Sequence, residues 1–278
     1  MVATPIGHLR DVSLRALDVL RSATRIAAED TRHTRRLLDA HGIQGQLVAV
    51  HEHNERGAAT KVVGWLQAGD SVALVTDAGT PGISDPGALV VKAVREAGLP
   101  VVPVPGPSAV VTALSAAGLA ESGFEFVGFL PPKQEARRRQ IADHVSADRP
   151  VVFYEAPHRV RDTIADFAAI LQPDRGLTLC RELTKLFEDI HETTVGEALA
   201  WLDGDANRSR GEFVLILHAS PAEQDSPADA ERVLGILLRD LSPSQAARLT
   251  AEITGARRGD LYARALALKQ EAPEGGSE

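Results

Sequence analysis

Short runs rich in Val, Ile and Leu recur along this chain, and most are followed by a stretch of helical periodicity. "RIAAED" (25–30) leads into "RHTRRLLDAHG", "LVAV" (47–50) into the stretch ending at Gly69, and "SVALV" (71–75) into "ALVVKAVREAG". This alternation constrains the fold more than any other feature. Each run is long enough for one strand and each periodic stretch for one crossover helix, which predicts βαβ units and a mainly parallel sheet. Leu14, Leu17 and Leu20 share a face of an opening helix, and Thr31 is the expected cap of the helix over "RHTRRLLDAHG", which Gly42 ends. Asn54 is the expected cap of the next. "VVPV" (101–104) and a helix from Ser108 complete a first set.

A second set starts at "FEFVGFL" (124–130): helix "QEARRRQIADHV", strand "PVVFYE", helix "VRDTIADFAAIL", strand "LTLCRE" and strand "EFVLILHA". Two mainly parallel sheets are therefore expected, joined near Gly118 to Gly123. The polar, proline-containing "SPAEQDSPADAE" (220–231) reads as a linker. Three short helical patterns follow, the second capped by Ser242 and ended by Gly255, in the outline of a helix-turn-helix module or of a small packed bundle. The terminal "EAPEGGSE" is expected to be disordered. The boundaries read this way are 1–117 and 118–219 for two α/β domains and 228–270 for the helical module.

Aromatic residues make up only 4% of the chain, so its cores must be aliphatic. The single cysteine, Cys180, excludes an internal disulfide framework and fits a reducing, cytoplasmic setting. No apolar stretch is long enough to span a bilayer. A net charge of −8 argues by itself against nucleic acid, yet basic clusters stand at Arg32 to Arg36, at Lys133 to Arg139 and at Arg257. They are either phosphate contacts or solvated helix faces.

The loops at the strand ends are unusual. In "TDAGTPGISDPG" (76–87), twelve residues after the run "SVALV", there are three glycines, two prolines and two aspartates. "ATPIGH" (3–8), "PVPGPSA" (103–109) and "YEAPHR" (154–159) likewise put Pro or Gly where a strand ends. Glycine allows positive φ and close approach, and proline stiffens. In an α/β sheet the carboxyl ends of the strands are where ligands sit, so these loops predict a rigid, backbone-lined pocket for a small molecule. No dinucleotide or Walker phosphate loop is present, and the His and Cys spacings do not form a metal site, "HEHNE" (51–55) being the nearest.

The ordered strings "ATPIG", "LRAL", "AAEDTRHTRRLL", "HEHNE", "DAGTPGISDPG", "PGPSA", "GFLP", "FYEAPHR" and "CRELTKLFE" closely resemble the RsmI family, the 16S ribosomal RNA (cytidine-2′-O)-methyltransferases of the tetrapyrrole-methylase superfamily. The resemblance runs over residues 1 to 218, and "SPSQAARLTAEITG" resembles the family's helix-turn-helix appendage. It implies a class III methyltransferase fold of two α/β domains, with S-adenosylmethionine in the cleft between them. It also implies a homodimer and the small ribosomal subunit as partner, while the spacings and apolar runs above lead to the expectation of no metal and no membrane. Two departures stand out: only Met1 and Val2 precede "ATPIG", and His8 replaces the usual asparagine.

On the resemblance, Pro5, Asp77, Gly79, Ile83, Ser108, Ala109, Tyr154 and Glu182 line the cofactor, and Arg32, Arg35, Lys133 and Arg159 hold the RNA. A ribose hydroxyl needs a proton acceptor, for which Glu29, Asp30 and His51 are the candidates. Other readings stay open: Asp77 caps its own loop, Glu29 and Asp30 cap the following helix, and Arg181, Glu182 and Lys185 form an internal ion network. Two further functions also remain open, a tetrapyrrole methylase and a DNA-binding regulator.

Overall fold

A computed structural model describes residues 1–50, 55–85, 87–119, 123–220 and 227–271. They form two compact units, Met1–Ala219 and Ser220–Glu278. In the larger unit, α1 (Leu14–Ser22) starts at Ser13, whose hydroxyl accepts the amide of Ala16. Then follow β1 (Arg25–Ala28), α2 (Thr31–Ala40), β2 (Leu47–Ala49), α3 (Glu55–Gln67), β3 (Val72–Val75), α4 (Ala88–Glu96) and α5 (Ala109–Ala117).

The three strands form a parallel sheet in the order β2-β1-β3. Central β1 is covered on both faces: Ile26 and Ala28 pack with Leu20 and Leu38 on one side, and Ala27 packs with Val62, Val90 and Val94 on the other. The three buried residues after Arg25 are all apolar, as two covered faces require. "VVPV" does not make the expected strand. Only Val104 bridges in parallel to Val2, because Pro103 and Pro105 beside it have no N–H to give to a ladder. The stub Val2–Thr4 lies between that bridge and β3, with Val2 donating to the Leu74 carbonyl at 2.8 Å and Val104 donating to that of Met1 at 2.8 Å.

The second half comprises β4 (Glu125–Phe129), α6 (Gln134–Ala142), β5 (Val151–Glu155), α7 (Val160–Ile170), β6 (Gly176–Arg181), β7 (Asp189–Thr194), α8 (Val195–Asp203) and β8 (Phe213–Leu217). Its sheet has the order β4-β5-β8-β6-β7 and is mixed, not mainly parallel as the alternation predicts. Only β4 and β5 pair in parallel; β8 enters antiparallel between β5 and β6, and β7 is antiparallel to β6. The cause is the short 182–188 connection, which has no room for a crossover helix and so reverses the chain. Both β7 and α8 are absent from the sequence reading. "DIHETT" is a polar, half-exposed edge strand with no apolar run to announce it.

One core cluster lies under α6, α7 and α8, around Phe153, Phe167, Leu179 and Leu215. Another joins the halves: Val110, Ala113 and Leu114 of α5 pack on Val152, Cys180, Val214 and Ile216 of the second sheet. The last helix before the expected boundary at 117 thus lies on the sheet that follows it.

The smaller unit holds α9 (Pro227–Leu237), α10 (Pro243–Thr254) and α11 (Arg258–Glu271) around Leu234, Ala246, Ala247, Leu261 and Ala265. Ser242 caps α10 in a reciprocal box with Gln245, and Gly255 ends it at φ +69°. The expectations for Asn54 and for the tail after Glu271 lie outside the described residues.

Candidate active site

Backbone builds one wall of the site. Gly79, at φ +75°, exchanges hydrogen bonds with Thr4: the Thr4 amide donates to the Gly79 carbonyl at 2.9 Å, and the Gly79 amide donates back at 3.0 Å. The Thr4 hydroxyl donates to the Thr76 carbonyl, and the Thr80 hydroxyl donates to the Pro107 carbonyl at 3.0 Å. The "ATPIG", "DAGTPG" and "PGPS" loops are therefore sewn together. A Cβ on Gly106 would stand 2.9 Å from that of Ala3, so this stitching needs glycine there.

The opposite wall comes from the second half. Glu182 (φ +51°) and Thr184 (φ +64°) take a left-handed backbone after β6. Lys185 Nζ bridges Glu182 Oε1 at 2.9 Å and Glu212 Oε2 at 2.8 Å. A Cβ on Gly7 would lie 2.5 Å from Lys185 Cγ, and the His8 amide donates to Thr184 Oγ1 at 3.1 Å, so the N-terminal loop docks directly on this network. His8 accepts the Arg10 amide on Nδ1 and caps the short turn over Leu9–Asp11.

Between these walls is a cavity of about 280 Å³. Ile6, Ile83, Phe129, Leu183, Phe213 and Val214 give it apolar sides; Asp85, Ser108, Tyr154, Glu155, Lys185 and Glu212 bring polar groups. Glu155, 2% exposed, accepts the Thr163 hydroxyl at 2.6 Å and the Ala156 amide at 2.9 Å, and lies 3.3 Å from Arg159 Nε. Burial pushes the carboxyl of Asp85 upward, reinforced by Asp77 and Glu212 and opposed by the Thr76 hydroxyl. Burial also raises Tyr154 and Cys180, each to about 12, so the phenol and the thiol on the cavity wall stay protonated. At Glu182 burial acts upward too, but the Glu212 amide and Lys185 outweigh it and leave the carboxyl below its ordinary range.

Of the expected cofactor residues, Gly79, Ile83, Ser108, Ala109 and Tyr154 line this cavity. Pro5 is buried beside Ile6, and Glu182 stands behind Lys185. Asp77 turns away toward β1: its Oδ1 accepts the Asp30 amide at 3.0 Å, and its own amide donates to Glu29 Oε2 at 3.3 Å. Glu29 and Asp30 are therefore at the strand-end rim and not among the cavity's lining residues. Asp30, not Thr31, caps α2, accepting the Arg32 amide at 2.8 Å and pairing with the Arg32 guanidinium at 2.8 Å. Those contacts hold the Asp30 carboxyl well below the usual range. His51 and the rest of "HEHNE" lie outside the described residues.

Arg32, Arg35 and Lys133 are exposed. The phosphate-contact reading of Arg137 is corrected, because its side chain is buried; Arg138 is half-exposed. Both guanidiniums hold the fully buried Asp166 at 2.6 Å, where Gln134 also donates. An acid inside α7 can be kept only if cations cover it. Arg159 donates to the Leu130 and Pro131 carbonyls at 2.5 and 3.2 Å, clamping "GFLPP" to "YEAPHR" instead of projecting outward. Sequence reasoning missed Asp85, Glu155 and Glu212. Asp85 lies in the very loop singled out, but nothing in a single sequence tells which of its two aspartates faces inward.

Among the described residues no cluster of acidic, His and Cys side chains could hold a metal ion, and no helix is long and apolar enough to cross a membrane. Residues 1–199 match the family model "Tetrapyrrole (Corrin/Porphyrin) Methylases", and residues 224–269 match "RsmI C-terminal HTH domain". The chain is 50% identical to the ribosomal RNA small subunit methyltransferase I of Neisseria meningitidis serogroup B, over 98% of this chain and 94% of that protein. It is 49% identical to the protein of that name from Escherichia coli O157:H7, over 96% and 93%. A uroporphyrin-III-C-methyltransferase from Thermus thermophilus superposes with a TM-score of 0.55 at 23% identity, over 78% of this chain and 92% of that one. A cobalt precorrin-4 methyltransferase does so with 0.57 at 16%, over 77% and 92%. At such identities these two speak for the fold alone.

Proposed function

From the premise that this chain belongs to the tetrapyrrole methylase family and, within it, to the small-subunit ribosomal RNA methyltransferases, we propose that it methylates the 2′-hydroxyl of a cytidine ribose in the decoding region of 16S RNA. The methyl donor in this reading is S-adenosylmethionine. The observation that carries it is the cavity joining the "DAGTPGISDPG" and "PGPSA" loops to β5 and β8. The residues fit the donor: Gly79 brings backbone close, Ile6, Ile83 and Val214 offer apolar contact, and carboxylates meet a ligand that carries positive charge. When bound, the donor supplies an electrophilic methyl group on a sulfonium.

Positioning supplies much of the rate in such a transfer. Here the stitched loops and the Glu155–Arg159 clamp hold the walls fixed in advance. The proton of the acceptor hydroxyl must be taken up by a nearby group. Of the two described candidates, Asp30 is the weaker base, because its cap and Arg32 favour the ionised form. Glu29, whose Oε2 accepts the Asp77 amide at the same strand ends, is the acceptor in this reading. Arg32, Arg35 and Lys133 contact RNA phosphates in this reading, whereas Arg159 acts within the protein. A homodimer working on the assembled small subunit, in the cytoplasm, completes the proposal.

The test is methylation of small subunits from a strain lacking the enzyme, with the product located by mass spectrometry. A methyl on the ribose, lost when the target nucleotide is 2′-deoxy, supports the proposal. A methyl on the base overturns it. Glu29→Gln should lower turnover more than cofactor or RNA affinity.

A further inference from the structure

Three acidic residues line the cavity, and they are not equivalent. Glu155 is satisfied by Thr163, Ala156 and Arg159. Glu212 is neutralised by Lys185, which also holds Glu182. Asp85 is paired with no Lys, Arg or His side chain among the described residues. The groups around it are the Thr76 hydroxyl, the carboxylates of Asp77 and Glu212, and the Tyr154 phenol. Lys185 is already committed to two acids. A partly buried acid surrounded by neutral and acidic groups is costly to ionise unless a cation arrives.

We propose that Asp85 is the counter-charge for the cationic methyl donor in this cavity and favours the donor over the spent cofactor. The inference rests on the reading that S-adenosylmethionine binds here. The donor carries a sulfonium, an ammonium and a carboxylate, a net charge of about +1 by ordinary ionisation. Its demethylated product keeps the ammonium and carboxylate but has a neutral thioether. One uncompensated carboxylate therefore attracts the donor more than the product, which assists exchange after each turnover. The same contact links binding to protonation. Asp85 starts with a raised affinity for its proton. A bound cation stabilises the ionised form, so donor affinity is full above the free-state pKa and falls as pH drops through it, with a proton released on binding in that window.

Calorimetry on the full chain, with S-adenosylmethionine and S-adenosylhomocysteine in buffers of different ionisation enthalpy, tests this. Wild type should release more protons with the donor than with the product at the acidic end of the range. Asp85→Asn should lose on the order of tenfold in donor affinity, the scale of one charge-assisted contact, and less for the product. It should also lose most of the pH dependence. Asp85→Ser, which keeps a small polar group, should behave alike, and thermal melts would show that both fold. Unchanged donor affinity and pH dependence in the folded variants overturn the inference, and so does a loss of turnover alone, which would place Asp85 at the acceptor. Failure of the underlying reading looks different: wild type itself would not bind, or Ala109→Trp, which fills the cavity, would leave donor affinity untouched.

Discussion

The two halves of the larger unit build opposite walls of one cavity by different means. The first half uses backbone: Thr4 and Gly79 exchange amide hydrogen bonds, and glycines stand where any side chain would collide. Most of its ion pairs, Asp18–Arg21, Asp30–Arg32 and Lys92–Glu96, lie outward, and Arg25–Asp70 at the start of β1 is partly buried. The second half adds charge on acids that are wholly or partly buried: Arg159 on Glu155 and Lys185 between Glu182 and the more exposed Glu212 at the cavity, and, behind it, Arg137 and the half-exposed Arg138 on Asp166. A backbone wall fails through strain and a charged wall through desolvation, and the second failure is usually the larger.

The sharpest way to break this contrast is Asp166→Ala. It leaves Arg137, 5% exposed, without its partner and should cost about 3–5 kcal/mol, read from denaturant melts. A loss below about 1 kcal/mol would mean that the buried pair contributes little and the contrast is false. Gly79→Val comes next. Its Cβ would meet Ile6 Cγ2 at only 3.5 Å, so crowding is mild, but a β-branched residue at φ +75° costs about 1–3 kcal/mol in strain. Donor affinity should collapse while the fold survives; unchanged affinity in the folded variant would remove this loop from the site.

A smaller effect is expected at alkaline pH. Tyr154, partly buried on the cavity wall, ionises near 12 in the fold, against 10.0 ordinarily. The folded state then holds a proton that the unfolded chain has given up, so stability is full below about pH 10 and declines toward 12. Tyr154→Phe should flatten that decline, measured by melts across the range. The smallest change should be Asp18→Ala. It removes an exposed pair with Arg21 and should shift stability by no more than about 0.5 kcal/mol; a larger loss would show that the outward pairs of the first half matter after all.

Much of the site was legible because unusual backbone leaves unusual residues. Gly79, Ile83, Ser108 and Ala109 sit in loops whose glycines and prolines make no sense except at a constrained strand end. The charged wall was not legible, because a lone arginine looks the same whether it faces RNA or a buried aspartate. Arg137 and Arg159 show the difficulty: their partners Asp166 and Glu155, and the carbonyls of Leu130 and Pro131, come from other elements.

The sequence by itself determined the alternation of strands and helices, the parallel first sheet, the three terminal helices with the Ser242 cap, and the family. Each of these follows from local periodicity, turn chemistry or ordered strings of residues. Tertiary structure alone decided that β8 inserts antiparallel between β5 and β6, that α5 packs on the following sheet, and that Asp85 lines the cavity while Asp77 bonds to the residues after β1. Strand order and side-chain direction depend on which distant segments share a core and on which carboxylates find a partner, and those are contacts between elements that no local pattern encodes.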